Sequence, residues 1–460
     1  MTQNNPQDED RDDDAYVLDS NTVAAVLDAV GTGDADALIA LMEPLHAADI
    51  ADLLEQISPS ERRHLVLLYD REFDGEILSE LDEGLREEIV NALHPQVLAD
   101  AVRELESDDV VDLLEDLEKP QRAAILEILE AGDRVAVEQA LTYPEFSAGR
   151  LMQREFVIAP QHWNVGQAID FLRSSDDLPD DFYHMVLVNP KAEPVGHVSL
   201  GRLLGTKRET ALVDLSEDSF RRFDVDEDEA DVAYAFNQYH LISAPVVDAN
   251  QRIVGVITID DAMGILDEEH EEDILRLAGV GESRLSDQAL DTMKRRFPWL
   301  AVNLATAILA SLVIAQFEDL IGQFVALAVL MPIVASMGGN AGTQSLTVAV
   351  RAMATRDLTG SNVWRVIRRE ALVGLMNGMV FAVMMGFVGA VWFGTPILGV
   401  VIAVAMIINL VVAGLAGILV PVGLEKIGID PALASGAFVT TVTDVVGFLA
   451  FLGLAAAMLI

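Results

Sequence analysis

The sequence predicts a multidomain membrane protein with an all-α N-terminal domain, a duplicated α/β domain pair, a connecting helix and a five-helix α transmembrane domain. Three observations predict it. Five long apolar segments are confined to residues 294–460, two stretches upstream align without a gap at an offset of 59 residues, and charge is distributed unevenly. Nine of the 30 Lys and Arg and seven of the 74 Asp and Glu lie in 294–460, so residues 1–293 carry about 46 net negative charges and residues 294–460 about two positive ones.

The acidity of residues 1–293 excludes some functions and favours others. A nucleic-acid-binding surface needs clustered Lys and Arg, which this part lacks, so we expect no nucleic-acid partner. Divalent cations would be attracted instead. Uniform surface acidity is also typical of a protein adapted to concentrated salt, so single carboxylates here are weak evidence of a site. The absence of Cys excludes disulfides, thiolate metal sites and cysteine nucleophiles.

The N-terminal residues fall into two stretches, 1–20 and 21–146. Residues 1–20 are polar and acidic where a signal peptide would be basic and then apolar, so we expect a disordered tail and no signal peptide. Residues 21–146 carry apolar residues at three- and four-residue spacing, and 48–57 recurs as 108–117. This pattern predicts stacked helix pairs that form a small superhelix. His46 and His94 precede helices and are interpreted as surface or capping residues rather than metal ligands.

Residues 147–267 contain the internal duplication, in which 186–202 align with 245–261. Each copy predicts a strand, a turn, a second strand and the start of a helix. The second copy resembles the cystathionine-β-synthase (CBS) domain, two of which normally pair. The ribose-contacting Thr-x-x-Asp signature of nucleotide-binding members falls on Thr258 and Asp261, whereas the first copy has Ser199 and Arg202. The resemblance therefore implies at most one intact site for ATP or another adenine nucleotide, and duplication without nucleotide is the alternative.

Residues 268–293 connect this pair to the apolar half. On a helix, the acidic side chains at the start of this segment crowd together: Glu268, Glu269, Glu272 and Asp273. Like charges at that spacing repel unless a cation neutralises them. A solvated acidic linker is the alternative, but the position directly before the first apolar segment favours a gating element.

Residues 294–460 hold five segments that are long enough to span a bilayer, namely 297–316, 324–354, 371–393, 399–422 and 431–459. Lys and Arg cluster before the first segment, between the second and third, and between the fourth and fifth, while the other connections carry none. Because positive residues favour the cytoplasmic side, this pattern predicts a multi-pass protein of the cell (inner) membrane, with the N-terminus in the cytoplasm and the C-terminus outside.

The second apolar segment is interrupted by small and polar residues. Gly338, Gly339 and Asn340 begin a run that extends to Ser345. Non-helical backbone at membrane depth is tolerated only where it is buried in protein or lines a wet cavity. The run therefore predicts a pore-lining break in the helix, and close helix packing through small residues is the alternative.

The fifth segment contains Asp444. An ionisable side chain at bilayer depth costs roughly 3 kcal/mol or more and by default marks an ion path. Thr440 and Gly447 share its helix face, and Thr441 and Thr443 are close by, so a polar face is predicted. The alternative is a buried aspartate with a structural role, hydrogen-bonded to these threonines. Few carboxylates and several hydroxyls suit an ion that keeps its water shell, such as Mg2+ or another hydrated divalent cation.

From about residue 21 to its C-terminus the chain resembles the MgtE family of magnesium channels and transporters. The most specific segments are 338–344, Asp430–Pro431, the threonine-rich approach to Asp444, and 272–279. The resemblance implies a lipid-embedded homodimer in which the helical domain, the CBS pair and a "plug" helix hang below five membrane helices per subunit. It also implies a Mg2+ channel that closes when Mg2+ binds the cytoplasmic acids.

Site residues are carried over from the family position by position. The resemblance places the ion pore at Asp444, Asn340 and Thr440, with Thr441, Gly338 and Gly339 beside them. It places Mg2+ sensing at Asp261, Glu269, Glu272 and Asp273, in addition to the pore metal at Asp444. Two further sensing acids of the CBS pair fall on Ala230 and His240, with Glu229 and Asp231 as neighbouring substitutes.

Two other functions stay open. A coupled carrier, or a channel for another divalent cation such as Co2+, would be supported by further acids within the spans, and the sequence indicates only Asp444 deep in a span. A CBS-regulated membrane sensor or enzyme would need a catalytic motif such as His-Glu-x-x-His in the apolar half. No His follows His270, so we expect no enzymatic activity.

Overall fold

The computed structural model describes residues 18–175, 178–179, 182–217, 220–280 and 289–459. They form two compact units, Met1–Glu268 and Glu269–Ile460. The predicted fold class is confirmed, with a helical domain, a duplicated α/β pair and five long apolar helices. Most of the predicted acidic tail (1–17) and residues 281–288 of the connecting segment lie outside the described residues.

The helical domain consists of short helices around one apolar core. These helices are α1 (Ser20–Thr32), α2 (Ala35–Met42), α3 (Ala47–Gln56), α4 (Pro59–Tyr69), α5 (Glu76–Ser79), α6 (Glu83–Ala92), α7 (Pro95–Glu104), α8 (Ser107–Asp116), α9 (Lys119–Ile128) and α10 (Ala131–Ala140). His46 and His94 are N-caps, each accepting a backbone N–H on Nδ1, at 3.3 and 3.4 Å. The capping interpretation of both histidines is therefore confirmed.

Buried arginines join successive helices of this domain. Arg62 donates to the carbonyls of Leu54 (2.7 Å) and Ile57 (3.2 Å) and pairs with Glu88 at 2.7 Å. Arg86 repeats the arrangement with the carbonyls of Leu81 and Ser79 and with Asp112. The last carbonyls of a helix have no partner within it, so a guanidinium that spans the loop satisfies them.

Replacing Arg62 by Met is expected to lower the thermal midpoint of the first unit by about 6 °C or more. The change leaves buried carbonyls and Glu88 without their donor, which costs about 3 kcal/mol or more in a site this buried. Circular dichroism melting of the full chain measures it. Arg103→Met is the matched control, since Arg103 makes only an exposed pair with Asp100, worth under about 1 kcal/mol. Equal midpoints for the two variants would contradict the assigned role.

The α/β pair consists of two three-stranded sheets, with strand orders β1-β2-β3 and β4-β5-β6. In each sheet the first two strands are parallel and the last two antiparallel. The elements are α11 (Ala148–Leu151), β1 (Val157–Pro160), α12 (Val165–Ser174), β2 (His184–Val188), β3 (Pro194–Ser199), α13 (Leu200–Gly205), β4 (Phe223–Asp224), α14 (Glu229–Tyr239), β5 (Ser243–Val247), β6 (Ile253–Thr258) and α15 (Ile259–Leu277). The ranges of β2 and β5, and of β3 and β6, differ by the offset found in the sequence.

The membrane half consists of six helices in the described residues: α16 (Ala289–Ala315), α17 (Glu318–Gln323), α18 (Val325–Ala354), α19 (Val363–Phe393), α20 (Pro396–Lys426) and α21 (Pro431–Leu459). All but the short α17 are long and apolar enough to span a membrane, as predicted. Helix α20 is the most buried, and its apolar residues pack with those of α18 and α21. Helix α19 begins eight residues before the predicted span, because the helix continues through the basic residues that precede the apolar stretch.

The predicted pore-lining break at 338–345 is wrong, because α18 is helical from Val325 to Ala354. Its small residues provide close helix contacts instead. A Cβ on Gly338 would lie 2.2 Å from Asn409 Nδ2, and one on Gly342 would lie 2.7 Å from Val439. Gly338 is therefore a packing position rather than a pore-lining one, and close packing through small residues is the correct interpretation of this run.

Candidate ion path and cation site

The threonines of α21 bond their own helix rather than Asp444. Thr440, Thr441 and Thr443 donate to the carbonyls of Gly436 (2.8 Å), Ala437 (2.6 Å) and Thr440 (2.9 Å), respectively. Asp444 is half-buried, and in the described part of the chain its carboxylate has neither a hydrogen-bond nor an ion-pair partner. The described residues therefore lack the aspartate–threonine hydrogen bonds that the structural alternative requires.

The pore residues predicted on α18 lie on different faces. Asn340 is exposed and Gly339 is half-buried, whereas Gly338 is buried against α20. Thr440 of α21 is also exposed. Asn340 and Thr440 are therefore on the surface of a single chain, and no hydrogen bond among the described residues joins Asn340 to the face that carries Asp444.

Asn409 of α20 is a polar residue that sequence reasoning missed. Its side chain is fully buried, and Nδ2 donates to the Val334 carbonyl at 2.8 Å. A Cβ on Gly338 of α18 or on Gly447 of α21 would collide with this side chain. Asn409 thus packs where α18, α20 and α21 meet, and its contact on α21, Gly447, is one turn from Asp444. A single amide in the otherwise apolar stretch 399–422 was the signal available in the sequence.

Glu370 is a second carboxylate within the spans. It lies in α19, is buried, and accepts a hydrogen bond from Ser345 of α18 at 2.9 Å. A cavity of about 170 Å³ beside it is lined by Gln344 and Asn377. The sequence indicated only Asp444 deep in a span, and Glu370 is a further carboxylate nearer the start of its helix. Glu370 follows a run of arginines, so in the sequence it resembles the polar end of the span.

The C-terminal end of α15 contacts the membrane helices within the second unit. Leu277 packs in the cluster that contains Ala432 and Val439 of α21. Arg276 pairs with Glu272 and, at 3.3 Å, with Asp430 in the loop before α21. Burial, with a further contribution from Asp430, raises the pKa of Asp273. Two of the predicted plug acids, Glu272 and Asp273, thus lie near the start of α21, while Glu269 is exposed one turn earlier.

The first unit contains an acidic cavity of about 750 Å³ between the helical domain and the second α/β repeat. Its carboxylates come from two helix starts. Asp108 and Asp109 are in the first turn of α8, and Asp261 is in the first turn of α15. Glu229, the substitute suggested for a missing sensing acid, also lines this cavity. A helix N-terminus attracts negative charge, so two such termini bring carboxylates together.

Side chains around the cavity fix these two helices. Arg150 of α11 forms an ion pair with Glu115 of α8, and Gln153 Nε2 donates to Glu106 at 2.9 Å. The backbone of Gln153 exchanges two hydrogen bonds with Val256 of β6, at 2.9 and 3.0 Å. Asp261 accepts from the Thr258 hydroxyl at 2.5 Å. The carboxylates are therefore held in position by the scaffold.

The cluster is electrostatically unfavourable without a counter-charge. Burial and the nearby Asp261 raise the pKa of Asp108, and the same causes raise the pKa of Asp109 to about 7. Burial also raises the pKa of Asp261, against the Thr258 hydrogen bond that lowers it. Like charges in a low-dielectric site favour uptake of a proton or a cation. Oxygen ligands and space for retained water fit Mg2+, which keeps part of its water shell.

Stability without divalent cations is expected to fall as pH rises. Asp109 ionises near pH 7 in the folded protein but near pH 4 when unfolded, so the folded form holds extra protons in this window and loses that stability as they leave. Thermal melting of the full chain in EDTA, between about pH 5 and about pH 7, measures the slope. Asp109→Asn should flatten it, as should saturating Mg2+. A slope unchanged by both would contradict the assignment.

The Thr258 and Asp261 pair predicted for nucleotide binding is engaged within the protein. The Thr258 hydroxyl donates to Asp261, whose carboxylate lies beside that of Asp108 in the lining of the acidic cavity. Asp261 is therefore part of the lining of the acidic cavity. Nucleotide binding by Thr258 and Asp261 stays a separate prediction.

Comparisons with known proteins follow these same divisions. A family model described as "Divalent cation transporter" (MgtE) matches residues 331–454, "MgtE intracellular N domain" matches 45–146 and "CBS domain" matches 218–268. The chain is 32% identical over 324 residues to "Magnesium transporter MgtE" of Bacillus subtilis (strain 168), covering 70% of this chain and 72% of that protein. It is 34% identical over 319 residues to the protein of the same name from Enterococcus faecalis, covering 69% and 70%.

Solved structures similar to the chain cover about half of it. One is described as the cytosolic domain of the Mg2+ channel MgtE in complex with ATP, with 27% identity and a TM-score of 0.49, and it aligns over 53% of this chain and 99% of that one. Another, described as the soluble part of a magnesium transporter, has 24% identity and a TM-score of 0.47 over 54% of this chain and 98% of that one.

Proposed function

The chain belongs to the MgtE family of magnesium transporters, and we propose that it is a Mg2+ channel that closes when Mg2+ binds its cytoplasmic carboxylates. The observation that carries the proposal is the acidic cavity, in which the buried Asp108 and the half-buried Asp261 lie close together. Such a pair is poorly stable alone and well stabilised by a divalent cation. We further propose that the chain lies in the cell membrane with its N-terminus in the cytoplasm, as the Lys and Arg distribution indicates.

Permeation is assigned to the face of α21 that carries Asp444. One unpaired carboxylate near the middle of a span attracts a divalent cation without supplying enough ligands to strip its water shell. Asn340 and Thr440 are exposed on the single chain, and this exposure supports a homodimer in which two such surfaces meet around the path. Permeation then follows the membrane potential, which is worth about 2.3 kcal/mol per charge per 100 mV.

Gating is assigned to α15, which begins at the acidic cavity and ends at α21. Its first turn carries Asp261, and its last turns carry Asp273, Arg276 and Leu277. Mg2+ shifts the equilibrium only if it binds one conformation better than the other. The compact arrangement, in which carboxylates are close, binds it better. In this proposal, formation of the compact arrangement is coupled to the position of Leu277, at the end of α15, which packs with Ala432 and Val439.

A nucleotide is a weaker proposal for the same domain pair. Its support is the Thr258 and Asp261 signature, which lies in the segment that the CBS domain model matches. Because Asp261 also borders the cation cavity, ATP and Mg2+ would share a residue. Calorimetric titration of the full chain with ATP, in wild type and Thr258→Val, tests it, and equal binding by both would remove Thr258 from the proposal.

Glu370 provides a test of whether the protein is a coupled carrier rather than a channel. If the protein is a channel, Mg2+ flux in proteoliposomes should be insensitive to an imposed proton or sodium gradient, both in wild type and in Glu370→Gln. A carrier that uses this buried carboxylate would respond to one of these gradients and lose the response in the variant. Glu318→Gln, in exposed α17, is the control. A gradient response that Glu370→Gln abolishes would overturn the channel assignment.

The experiment that tests the proposed function is Mg2+ entry into dye-loaded liposomes that hold the purified full chain, with an imposed inside-negative potential. Entry should depend on the protein and increase with the potential. Competition by Co2+ and Ca2+ in the same assay separates a Mg2+ path from a general divalent one. Entry no faster than in protein-free liposomes would contradict the proposal.

A further inference from the structure

Two buried histidines and a glutamate converge in the first α/β repeat. His184 starts β2, His197 lies in β3, and Glu217 lies in the segment before β4. Each offers one ligand atom, and these atoms all lie within 4.8 Å of one another. None of the three takes part in the proposed Mg2+ function.

His197 has unsatisfied polar atoms. It is 3% exposed, and among the residues that the structure describes neither of its ring nitrogens has a hydrogen-bond partner. Its neighbours are the stacked His184 ring, the edge-on Phe220 ring and the Glu217 carboxylate, whose Oε2 is 4.0 Å from Nε2. A buried polar group without a partner is costly, and in native proteins it commonly indicates a bound ion or water.

His184 is oriented for ligation. Its Nδ1 lies 2.7 Å from the hydroxyl of Ser243, the corresponding residue of the second repeat. When Nδ1–H donates to this oxygen, Nε2 is left as an unprotonated ligand atom. Metal-binding histidines are typically held in this way by a partner on the other ring nitrogen. Burial lowers the pKa of both histidines, that of His197 to about 4, so both rings are neutral near pH 7.

We propose that His184, His197 and Glu217 form a binding site for a transition-metal cation of the Zn2+ type. Two imidazoles and one carboxylate are ligands that Zn2+ and Co2+ prefer, whereas Mg2+ prefers oxygen ligands alone. A fourth position would be filled by water, since Glu217 is partly exposed. The site is therefore chemically distinct from the carboxylates of the acidic cavity.

Binding requires a local adjustment of the rings. The two imidazoles are stacked, with centroids 4.3 Å apart and planes 20° from parallel. A metal lies in the plane of each ring that binds it, so one ring must rotate about its Cβ–Cγ bond. The distances between the three ligand atoms must also shorten to those of a tetrahedral site. The Arg202 guanidinium, 3.7 Å from the other Glu217 oxygen, opposes the metal charge.

The test is Zn2+ titration of the purified full chain, stripped with EDTA and held in excess Mg2+ so that oxygen-only sites are occupied. One Zn2+ per chain should bind in wild type and in His162→Gln, an exposed histidine of the same repeat. His197→Ala should abolish this binding, and Glu217→Gln should weaken it by about tenfold or more. Co2+ gives a second readout, because coordination by imidazole produces visible absorption bands that His197→Ala should remove.

Equal Zn2+ stoichiometry and affinity in all four proteins, or no Mg2+-resistant Zn2+ binding in wild type, would overturn the proposal. Glu217→Gln changes a partly exposed side chain, so it keeps the test decisive if His197→Ala does not fold. The Zn2+ titration does not depend on Mg2+ flux. Absence of Zn2+ binding would therefore leave the channel proposal intact, and absence of Mg2+ flux would leave the Zn2+ site intact.

Discussion

Asp444→Asn is expected to reduce Mg2+ flux by about tenfold or more while the protein stays folded. Asn has the same shape but no charge, so the change removes the attraction between a carboxylate and a divalent cation. In a partly desolvated path this attraction is worth several kcal/mol, of which about 1.4 kcal/mol is enough for a tenfold change. Flux into proteoliposomes under a fixed membrane potential measures it.

Two further variants define what the Asp444 result means. Asp444→Glu keeps the charge on a longer side chain. If Mg2+ flux persists in Asp444→Glu but not in Asp444→Asn, the loss of flux is due to the loss of charge. Asp319→Asn, on exposed α17, should leave flux unchanged and controls for loss of a carboxylate in general. Wild-type flux in Asp444→Asn would remove this residue from the ion path.

The combined change Asp108→Asn and Asp261→Asn is expected to make flux nearly independent of cytoplasmic-side Mg2+. Asp108 is buried and Asp261 is half-buried beside it, so we expect them to supply both the repulsion of the Mg2+-free form and the ligands of the Mg2+-bound form. At a concentration one hundred times Kd, one site stabilises the bound form by about 2.7 kcal/mol. The variant loses this term, so the ratio of flux at low and high Mg2+ should fall towards one.

Thermal melting with and without Mg2+ gives an independent measure of the same site. The Mg2+-induced rise in the midpoint should shrink in the double variant and persist in Asp28→Asn, an exposed carboxylate of α1. A double variant that retained the full wild-type Mg2+ inhibition would show that these acids are not the sensor.

Much of the fold could be predicted because its signals are periodic. Five apolar stretches gave five long helices, and an offset of 59 residues gave two sheets with matching strands. The run from Gly338 to Ser345 was interpreted incorrectly, because small residues in a membrane helix are compatible with either a break or a close contact. The difference depends on Asn409, about 70 residues away, whose side chain fills the space at Gly338.

The sites were less predictable for a related reason. Asp444 and Asp261 could be proposed from the sequence because the charge of the first and the motif of the second are visible locally. Asp108 was hidden among many surface acids, and only the fold brings it, buried, against Asp261. The same holds for His184 and His197, which are 13 positions apart and adjacent only because β2 and β3 pair.

The central claim is that Mg2+ passes through the protein and closes it. The most direct test is the Mg2+ flux of the reconstituted full chain as a function of Mg2+ concentration on the side that faces the acidic domains, at constant driving force. The account predicts that flux falls steeply as this concentration rises, and that Asp108→Asn with Asp261→Asn removes most of the fall. Flux that is the same at every Mg2+ concentration in the wild-type protein would contradict it.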